Sequence, residues 1–374
     1  MAISLKDLLN CLDEAWPFAW AAPGDRVGLL IGSPSRQVSR LLVALEASEA
    51  VVAEARELKA DILLTHHPLL YAPVAEIRED RPAGRLLTQV IRADLAVVAC
   101  HTNLDVAPGG LNDFLAARLG LTGAVPLAPQ GRDPWLKLAV FVPVGYEDRV
   151  RAALFDDRVG VIDRYSHCSF AARGQGTYLP EEGARPWRGE VARLARADEV
   201  RLEVLLPESR AAAAVARMKA AHPYEEVAYD LYPLKNPAPP LGFGRVGDLP
   251  APRSWEELVA QVREIFSVTG LRLWGRPPAA VRRVAVCGGS GGELINAARE
   301  AGAQVFITGE VRHHQAVPGF LEDFAVLEVG HFASEVVFMP AWADDLRRRL
   351  AAKDVAVDIQ VSCREKPPCV IYPS

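Results

Sequence analysis

Short apolar runs alternate with amphipathic helical patterns along this sequence, and that alternation constrains the fold more than any other feature. It begins near residue 39, with an apolar run at 41–45, a helical pattern at 47–58 and another apolar run at 62–64. The alternation returns after residue 241, with apolar runs at 281–286 and 305–307. Because strands that are joined through helices run parallel, we predict an α/β fold whose mixed, mainly parallel sheet is covered by helices.

The middle of the sequence does not continue the regular alternation of strand and helix patterns. Glycines and prolines interrupt the alternation at 120–134, and a second proline-rich run at 235–240 reads as a linker. Between them the pattern follows the order β-α-β-β-α-β, which is typical of a small ferredoxin-like module. We therefore predict one α/β domain in two halves, at 1–128 and 237–374, with an inserted ferredoxin-like α+β domain at 129–236.

Composition excludes several classes of protein. The net charge of −5 gives no broad basic surface, so binding to nucleic acid is not indicated. No apolar run approaches the roughly 18 residues of a membrane span, and the N-terminus has the pattern of an amphipathic helix rather than a signal peptide. The six cysteines form no CxxC pair, and we expect them to be reduced. These features predict a cytoplasmic protein.

Six of the eight histidines fall in four short turns, three of which directly follow predicted strands. The carboxyl ends of parallel strands are where open α/β sheets place their ligands. Side chains in such turns can converge at one sheet edge although they lie far apart in sequence. The six are His66, His67, His101, His313, His314 and His331.

The spacing of five polar residues predicts a site for two metal ions. His331 and Glu335 are four residues apart, so they share one face of a helix and can grip one ion. His66 and His67 are adjacent, their side chains diverge, and such a pair suits two neighbouring ions. Asp105 adds a carboxylate. This set leaves coordination positions open for water or substrate, and ligands without thiolate suit Zn, Mn, Fe, Co or Ni.

Four further residues are candidates for acid–base chemistry. His101 can contact Asp105 or a substrate, and we prefer this to direct metal ligation. Glu310, His313 and His314 can transfer protons or contact an anion, and a purely structural role is equally compatible with the sequence.

A glycine-rich run, Gly288-Gly-Ser-Gly-Gly292, follows another predicted strand. Its backbone N–H groups could cradle a phosphate at the start of a helix. A plain tight turn is the preferred interpretation, because the Lys-Ser/Thr pair of a P-loop does not follow it.

These motifs, in this order, resemble the Nif three-like dinuclear-metal family, whose members are often called GTP cyclohydrolase I type 2 homologues. The resemblance covers nearly the whole chain. It implies that five residues bind two divalent ions, with the last of them bridging: His66, His67, Asp105, His331 and Glu335. The motifs that carry it are Val27-Gly-Leu29, His66-His67-Pro68, His101-Thr-Asn-Leu-Asp105, Gly288-Gly-Ser-Gly-Gly292, Thr308-Gly-Glu310 and Gly330-His331 with Ser334-Glu335.

The resemblance also implies a ring-shaped homohexamer, and it likens the middle segment to the PII/CutA-like domain of longer bacterial members. His222-Pro-Tyr-Glu-Glu226 matches a motif near the end of that insert. Three segments depart from the family pattern, and one of them is the tail Glu365-Lys-Pro-Pro-Cys-Val370, which lacks the usual Asn-Pro-Phe-type ending. Gly24-Asp25-Arg26 stands where Trp-Asp-Asn is common, and Glu310 stands where Asp is usual.

Two functions fit this sequence. The first is a dinuclear-metal-dependent hydrolase in which metal-activated water attacks a small nucleotide-like substrate, in the cyclohydrolase version the guanine imidazole ring of GTP. His101, Glu310, His313 and His314 would then shuttle protons. The alternative is a non-catalytic metal-binding scaffold, sensor or metal-handling protein that needs no acid–base residues.

Overall fold

The computed structural model describes residues 3–156, 158–320 and 324–369, and the chain divides into two compact units. The flanking unit combines the two ends of the chain, Met1–Gly131 and Leu241–Ser374, and the middle unit is Arg132–Pro240. Every helix in the described part is too short or too polar to cross a lipid bilayer.

The first part of the flanking unit alternates strands and helices as the sequence predicts. Helix α1 begins after Ser4, whose side chain accepts a hydrogen bond from the Asp7 backbone N–H. The elements of this part are β1 (Ile3–Ser4), α1 (Leu5–Ala15), β2 (Gly28–Ile31), β3 (Gln37–Val38), β4 (Arg40–Ala44), α2 (Glu49–Glu57), β5 (Ile62–Thr65), α3 (Pro82–Arg92), β6 (Ala96–Ala99), α4 (Thr102–Val106), α5 (Leu111–Leu119) and β7 (Thr122–Arg132).

The middle unit is a four-stranded antiparallel sheet that packs against two helices and has its own apolar core. Its strand order is β11-β8-β10-β9. The sequence predicts two short strand-like pieces, at 168–170 and 176–179, and the structure has the single strand β9 in their place. The elements are β8 (Trp135–Pro143), α6 (Glu147–Leu154), β9 (Ser169–Tyr178), β10 (Ala195–Pro207), α7 (Ala211–Ala221) and β11 (Tyr229–Pro233).

The second part of the flanking unit returns to strand–helix alternation. Helix α8 begins with a capping box, in which the Ser254 side chain bonds the Glu257 N–H and the Glu257 carboxylate bonds the Ser254 N–H. The elements are β12 (Pro240–Ser254), α8 (Trp255–Phe266), β13 (Arg272–Gly275), β14 (Ala280–Cys287), α9 (Ile295–Glu300), β15 (Val305–Thr308), α10 (His313–Phe320), β16 (Ala325–Glu328), α11 (His331–Val336), α12 (Met339–Ala351) and β17 (Asp358–Val361).

The flanking unit is a mixed α/β structure, as predicted, but its strands form two large sheets rather than one. The first has the order β17-β4-β5-β6-β2, in which β2 is antiparallel to β6 and the other neighbours are parallel. The second has the order β13-β16-β15-β14-β12-β7, with β14, β15 and β16 parallel. Strands β12 and β7 lie side by side at one edge of it.

One apolar core is shared by the two large sheets and the helices around them. The indole rings of Trp16 and Trp342 meet edge to face within it, 6.1 Å between ring centroids. Core side chains from both sheets include Leu41, Val43, Ile62, Leu64, Val284, Val286, Val305 and Ile307.

Two local predictions were wrong. Residues 122–132, expected to be part of a break, form β7, an edge strand, which is the position in a sheet where prolines such as Pro126 and Pro129 are tolerated. The sequence pattern at 335–350 predicts one helix, but the structure has two, α11 and α12, and Pro340 lies in the first turn of the second.

Candidate metal centre

The turns that follow five parallel strands of the flanking unit line one cavity of about 740 Å³. Strands β5 and β6 belong to the first large sheet, and β14, β15 and β16 belong to the second. Convergence therefore occurs between two sheets rather than at the single edge that we expected. The lining includes His67, His101, Asp105, Gly289, Ser290, Glu310, His331 and Glu335.

Glu335 is the point on which the predicted ligands converge. Its side chain is buried, and Oε2 lies 3.0 Å from His67 Nε2 and 3.3 Å from His331 Nε2. The other oxygen, Oε1, lies 3.8 Å from His66 Nε2. On the far side of His66, Nε2 lies 3.5 Å from Asp105 Oδ1. All five residues predicted as ligands thus lie in one cluster.

Each of the three imidazoles is held through its other ring nitrogen. His66 Nδ1 donates to the Cys100 carbonyl oxygen at 2.9 Å, an atom that can only accept. His67 and His331 use Nδ1 in the same way, towards the carboxylates of Glu46 and Glu310, each at 3.1 Å. Such contacts fix the tautomer and turn the Nε2 lone pairs towards the cluster, as in proteins that bind metal through histidine.

Three atoms of the cluster are buried and have no hydrogen-bond partner among the described residues. They are His66 Nε2, Asp105 Oδ1 and Glu335 Oε2. Lone pairs that face one another out of contact with water are costly unless a cation lies between them. The donor set therefore fits a divalent metal ion.

Two overlapping groups of side chains have their ligand atoms within 4.8 Å of one another. The first is His66, His67 and His101, and the second is His67, His331 and Glu335. His101 was predicted to act on Asp105 or substrate, yet its ring lies 5.2 Å from that of His66 and 5.5 Å from that of His67. It therefore belongs geometrically to the donor cluster.

The other predicted acid–base residues are placed differently. Glu310 lines the cavity, but its carboxylate bonds His331. His313 and His314 are exposed on α10 and are absent from the cavity lining, and the His313 ring packs 6.2 Å from that of Trp274. This geometry gives those two histidines no contact with the cluster.

One protein-family model, Duf34/NIF3 (NGG1p interacting factor 3), matches residues 3–368. This chain belongs to the Duf34/NIF3 family. A Bacillus subtilis protein named GTP cyclohydrolase 1 type 2 homolog is 40% identical over 336 residues, 90% of each chain. The crystal structure of a Bacillus cereus protein related to NIF3 has a TM-score of 0.84 at 36% identity, and a Staphylococcus aureus structure has 0.70 at 26%. Each of the two structures is matched over 99% of both chains. The resemblance predicted from the sequence is confirmed.

The electrostatics of the Duf34/NIF3 cluster favour positive charge at its centre. Burial lowers the pKa of His67, but the carboxylates of Glu335 and Glu46 outweigh it and raise that pKa to about 10. The carboxylate of Glu335 raises the pKa of His331 to about 9, although burial lowers it. Burial opposes ionisation of Glu335, yet the three imidazoles hold its pKa well below the usual range.

Two carboxylates in this Duf34/NIF3 site were missed by sequence reasoning. Glu46 bonds His67, and it follows β4, the parallel neighbour of β5, so its position at the same sheet edge was a usable signal. Asp25 accepts from His101 Nδ1 at 2.9 Å and from the Thr102 N–H at 3.1 Å. Burial raises the pKa of Asp25, but these bonds outweigh it and hold the pKa well below its usual range.

The glycine-rich turn of this Duf34/NIF3 chain packs directly under Glu335. Gly289 has φ +63°, and a Cβ there would lie 2.4 Å from Glu335 Oε1. Its N–H donates to Ser334 Oγ, that of Gly288 to Asn112 Oδ1, and that of Gly291 to Thr308 Oγ1. Because three of its amides already donate within the protein, the geometry favours a tight turn over a phosphate cradle.

Proposed function

We propose that this chain is a dinuclear-metal-dependent hydrolase acting on a nucleotide-like substrate. The observation that carries the proposal is the set of buried, unpartnered atoms on His66, Asp105 and Glu335. The pair of His66 and Asp105 on one side, and the group of His67, His331 and Glu335 on the other, support two neighbouring ions rather than one. His66, His67, Asp105, His331 and Glu335 would hold them, with Glu335 between.

Divalent ions bound there would lower the pKa of a water molecule and so provide a nucleophile at neutral pH. His101 lies beside both adjacent histidines, and its Nδ1 is held by the Asp25 carboxylate. This leaves Nε2 as the atom that would accept a proton from the attacking water and return it to the leaving group. Glu310 would orient His331 rather than transfer protons, and no role is assigned to His313 or His314.

A nucleotide-like substrate is supported by the cavity and by its charge. A volume of about 740 Å³ is in the range of small-molecule sites. Arg312 lines the cavity, and its guanidinium has no carboxylate partner among the described residues, so it is available to a phosphate. Relatives named GTP cyclohydrolase 1 type 2 homolog give a reason to test GTP first.

Three further features are proposals. A cytoplasmic location rests on the composition, and a ring-shaped homohexamer and a PII/CutA-like middle unit rest on the family resemblance. The antiparallel order β11-β8-β10-β9 with two helices supports the last of these.

The test combines elemental analysis with turnover assays. Protein loaded with Zn, Mn, Fe, Co or Ni is expected to hold two ions per chain and to hydrolyse GTP, another nucleotide or a phosphoester. His67→Ala should abolish turnover and reduce the metal content. His314→Ala is the matched control and should do neither, because His314 is exposed and lies off the cavity lining. A His67→Ala variant as active as the wild type would remove this site from the mechanism.

A non-catalytic metal-binding role is the second candidate. Glu310 bonds His331, and His313 and His314 lie outside the cavity lining. Of the four residues predicted to transfer protons, only His101 therefore remains, and this supports a role without catalysis. Protein that holds its metal stoichiometrically while no nucleotide or phosphoester reacts would favour this role.

A further inference from the structure

The middle unit contains a second cavity, of about 440 Å³, built from residues that the proposed hydrolase does not use. It lies between the ends of β9 and β10, the loop at 179–194 and the turn that follows α7. Its volume is sufficient for a small organic ligand.

One wall of this cavity is aromatic. The rings of Tyr178, Trp187 and Tyr224 form a cluster, in which the Tyr224 centroid lies 6.4 Å from that of Tyr178 and 5.7 Å from that of Trp187. Tyr146 packs edge to face on Trp187 at 5.7 Å. Faces of aromatic rings carry negative electrostatic potential and attract cations.

A buried carboxylate completes the cavity. Glu199 is 9% exposed, and its Oε1 accepts a hydrogen bond from the Tyr224 hydroxyl at 3.0 Å. No described residue donates a hydrogen bond to Oε2, which lies over Gly176, where a Cβ would come within 2.3 Å of it. Glycine at 176 therefore leaves room for this oxygen, which can accept a hydrogen bond from, or pair with, a positively charged ligand.

The His222-Pro-Tyr-Glu-Glu226 motif positions the aromatic wall. His222 Nε2 donates to the Phe141 carbonyl oxygen at 3.1 Å, and Nδ1 accepts from the Tyr224 N–H at 3.1 Å. Burial lowers the pKa of His222, so the ring stays neutral and keeps both bonds. Glu225 accepts from the Arg185 N–H at 2.8 Å and thereby fixes the loop that carries Trp187.

We propose that this cavity binds a small organic ammonium ion between the Glu199 carboxylate and the rings of Tyr178, Trp187 and Tyr224. We infer a positively charged ligand because the cavity lining contains three glutamates and one arginine, Arg185. The glutamates are Glu199, Glu225 and Glu226. An ammonium ion would use the free Oε2 and the ring faces together, which neither a neutral ligand nor an anion can do. The site would make the middle unit a sensor of amines.

Isothermal titration calorimetry on the full-length protein tests this with three probes. Choline carries the cation, 3,3-dimethylbutan-1-ol is its uncharged isostere, and benzoate is an anion of similar size. We expect saturable binding of choline, with the isostere and benzoate weaker by about tenfold or more, because neither can make a cation–π contact.

Variants locate the site. Glu199→Gln keeps the shape and removes the charge, and Trp187→Leu removes one ring from a partly exposed position. Each should weaken choline binding about tenfold. Glu203→Gln is the matched control, a carboxylate on the same strand that pairs with Lys137 outside the cavity. Equal binding of choline and its isostere by the wild type, stronger binding of benzoate, no binding of choline, or equal losses in Glu199→Gln and Glu203→Gln would each overturn the proposal.

Discussion

Glu335 combines two properties that seldom occur together in a carboxylate, burial and contact with three imidazole rings. The spacing of His331 and Glu335 predicted their shared helix face, and the structure brings His331 Nε2 within 3.3 Å of the carboxylate. The adjacent His66 and His67 predicted diverging ligands, and their Nε2 atoms reach different oxygens of Glu335. Spacing along the sequence was informative here because the two members of each pair are at most four residues apart, so local backbone geometry fixes their relative positions.

Replacement of Glu335 by glutamine tests its central position. Glu335→Gln removes a negative charge and replaces one acceptor oxygen by an NH₂ group that cannot bind a cation. We expect the affinity for metal to fall more than about a hundredfold, the upper range for residues that only support a ligand. Elemental analysis after dialysis measures the change.

Glu293→Gln is the control for that variant, because Glu293 lines the same cavity but is exposed and touches none of the clustered ligands. It should retain wild-type metal content. Full metal retention in Glu335→Gln would show that the carboxylate is not a ligand.

Residues far apart in sequence were harder to predict. Glu46 and Asp25 support His67 and His101 through hydrogen bonds, and neither belongs to a motif whose spacing reveals the partner. Asp25 was noticed as part of a departure from the family pattern, but its contact with His101 spans 76 positions. Such contacts depend on how β2 and β6 pair, which periodicity does not encode.

At the scale of elements, the strand–helix alternation was predicted well where strands are apolar and buried. Strands β4, β5 and β6 read as plain apolar runs, and they occupy central positions of their sheet. Strand β7 was missed because its glycines and prolines are typical of loops. Edge position relieves that conflict, since a proline costs no hydrogen bond on an unpaired side.

The turn between β14 and α9 gives a prediction at this scale. Gly289→Ala places a methyl group against Glu335 Oε1 and imposes a left-handed backbone on alanine. We expect the metal affinity to fall at least tenfold, and the free energy of unfolding of the metal-free protein to fall by about 1–2 kcal/mol. Calorimetric metal titration and urea denaturation measure the two effects.

Gly120→Ala is the matched control, with φ +76° and no atom within 4 Å of the added Cβ. Gly120→Ala should lower the free energy of unfolding by the same amount as Gly289→Ala, and it should leave the metal affinity unchanged. If the two variants bound metal equally, close packing of the turn against Glu335 would have no part in holding the site.

For the whole molecule, the class of fold was predictable and the number of sheets was not. Two runs of strand–helix alternation look the same in a sequence whether their strands join one sheet or two. The mixed α/β class is confirmed by the structure and by its NIF3 neighbours. The pairing of β17 with β4 links residues more than 300 positions apart, and apolar periodicity carries no information about it.

Removal of the metal should lower the thermal stability of the flanking unit and leave that of the middle unit unchanged. All five predicted ligands belong to the flanking unit, and the middle unit has a separate apolar core. We expect differential scanning calorimetry to resolve two transitions, of which a chelator lowers one, because metal at a hundredfold excess over its Kd stabilises the native state by about 2.7 kcal/mol.

The Glu335→Gln variant provides the reference for this experiment, since its transitions should already lie at the positions of the chelated wild type. Two transitions that both stay in place when the metal is removed would contradict the assignment of the ligands to a stabilising site.

Strands β7 and β12 run side by side, and a Cβ on Gly242 would lie 2.2 Å from the Ala128 carbonyl oxygen. The chain therefore departs into Arg132–Pro240 and comes back at almost the same point. A single genetic deletion could replace that whole stretch by a hairpin and leave every residue of the metal cluster in the encoded product. Gain or loss of the amine-sensing segment would then be one evolutionary step, with no need to rebuild the chemistry it accompanies.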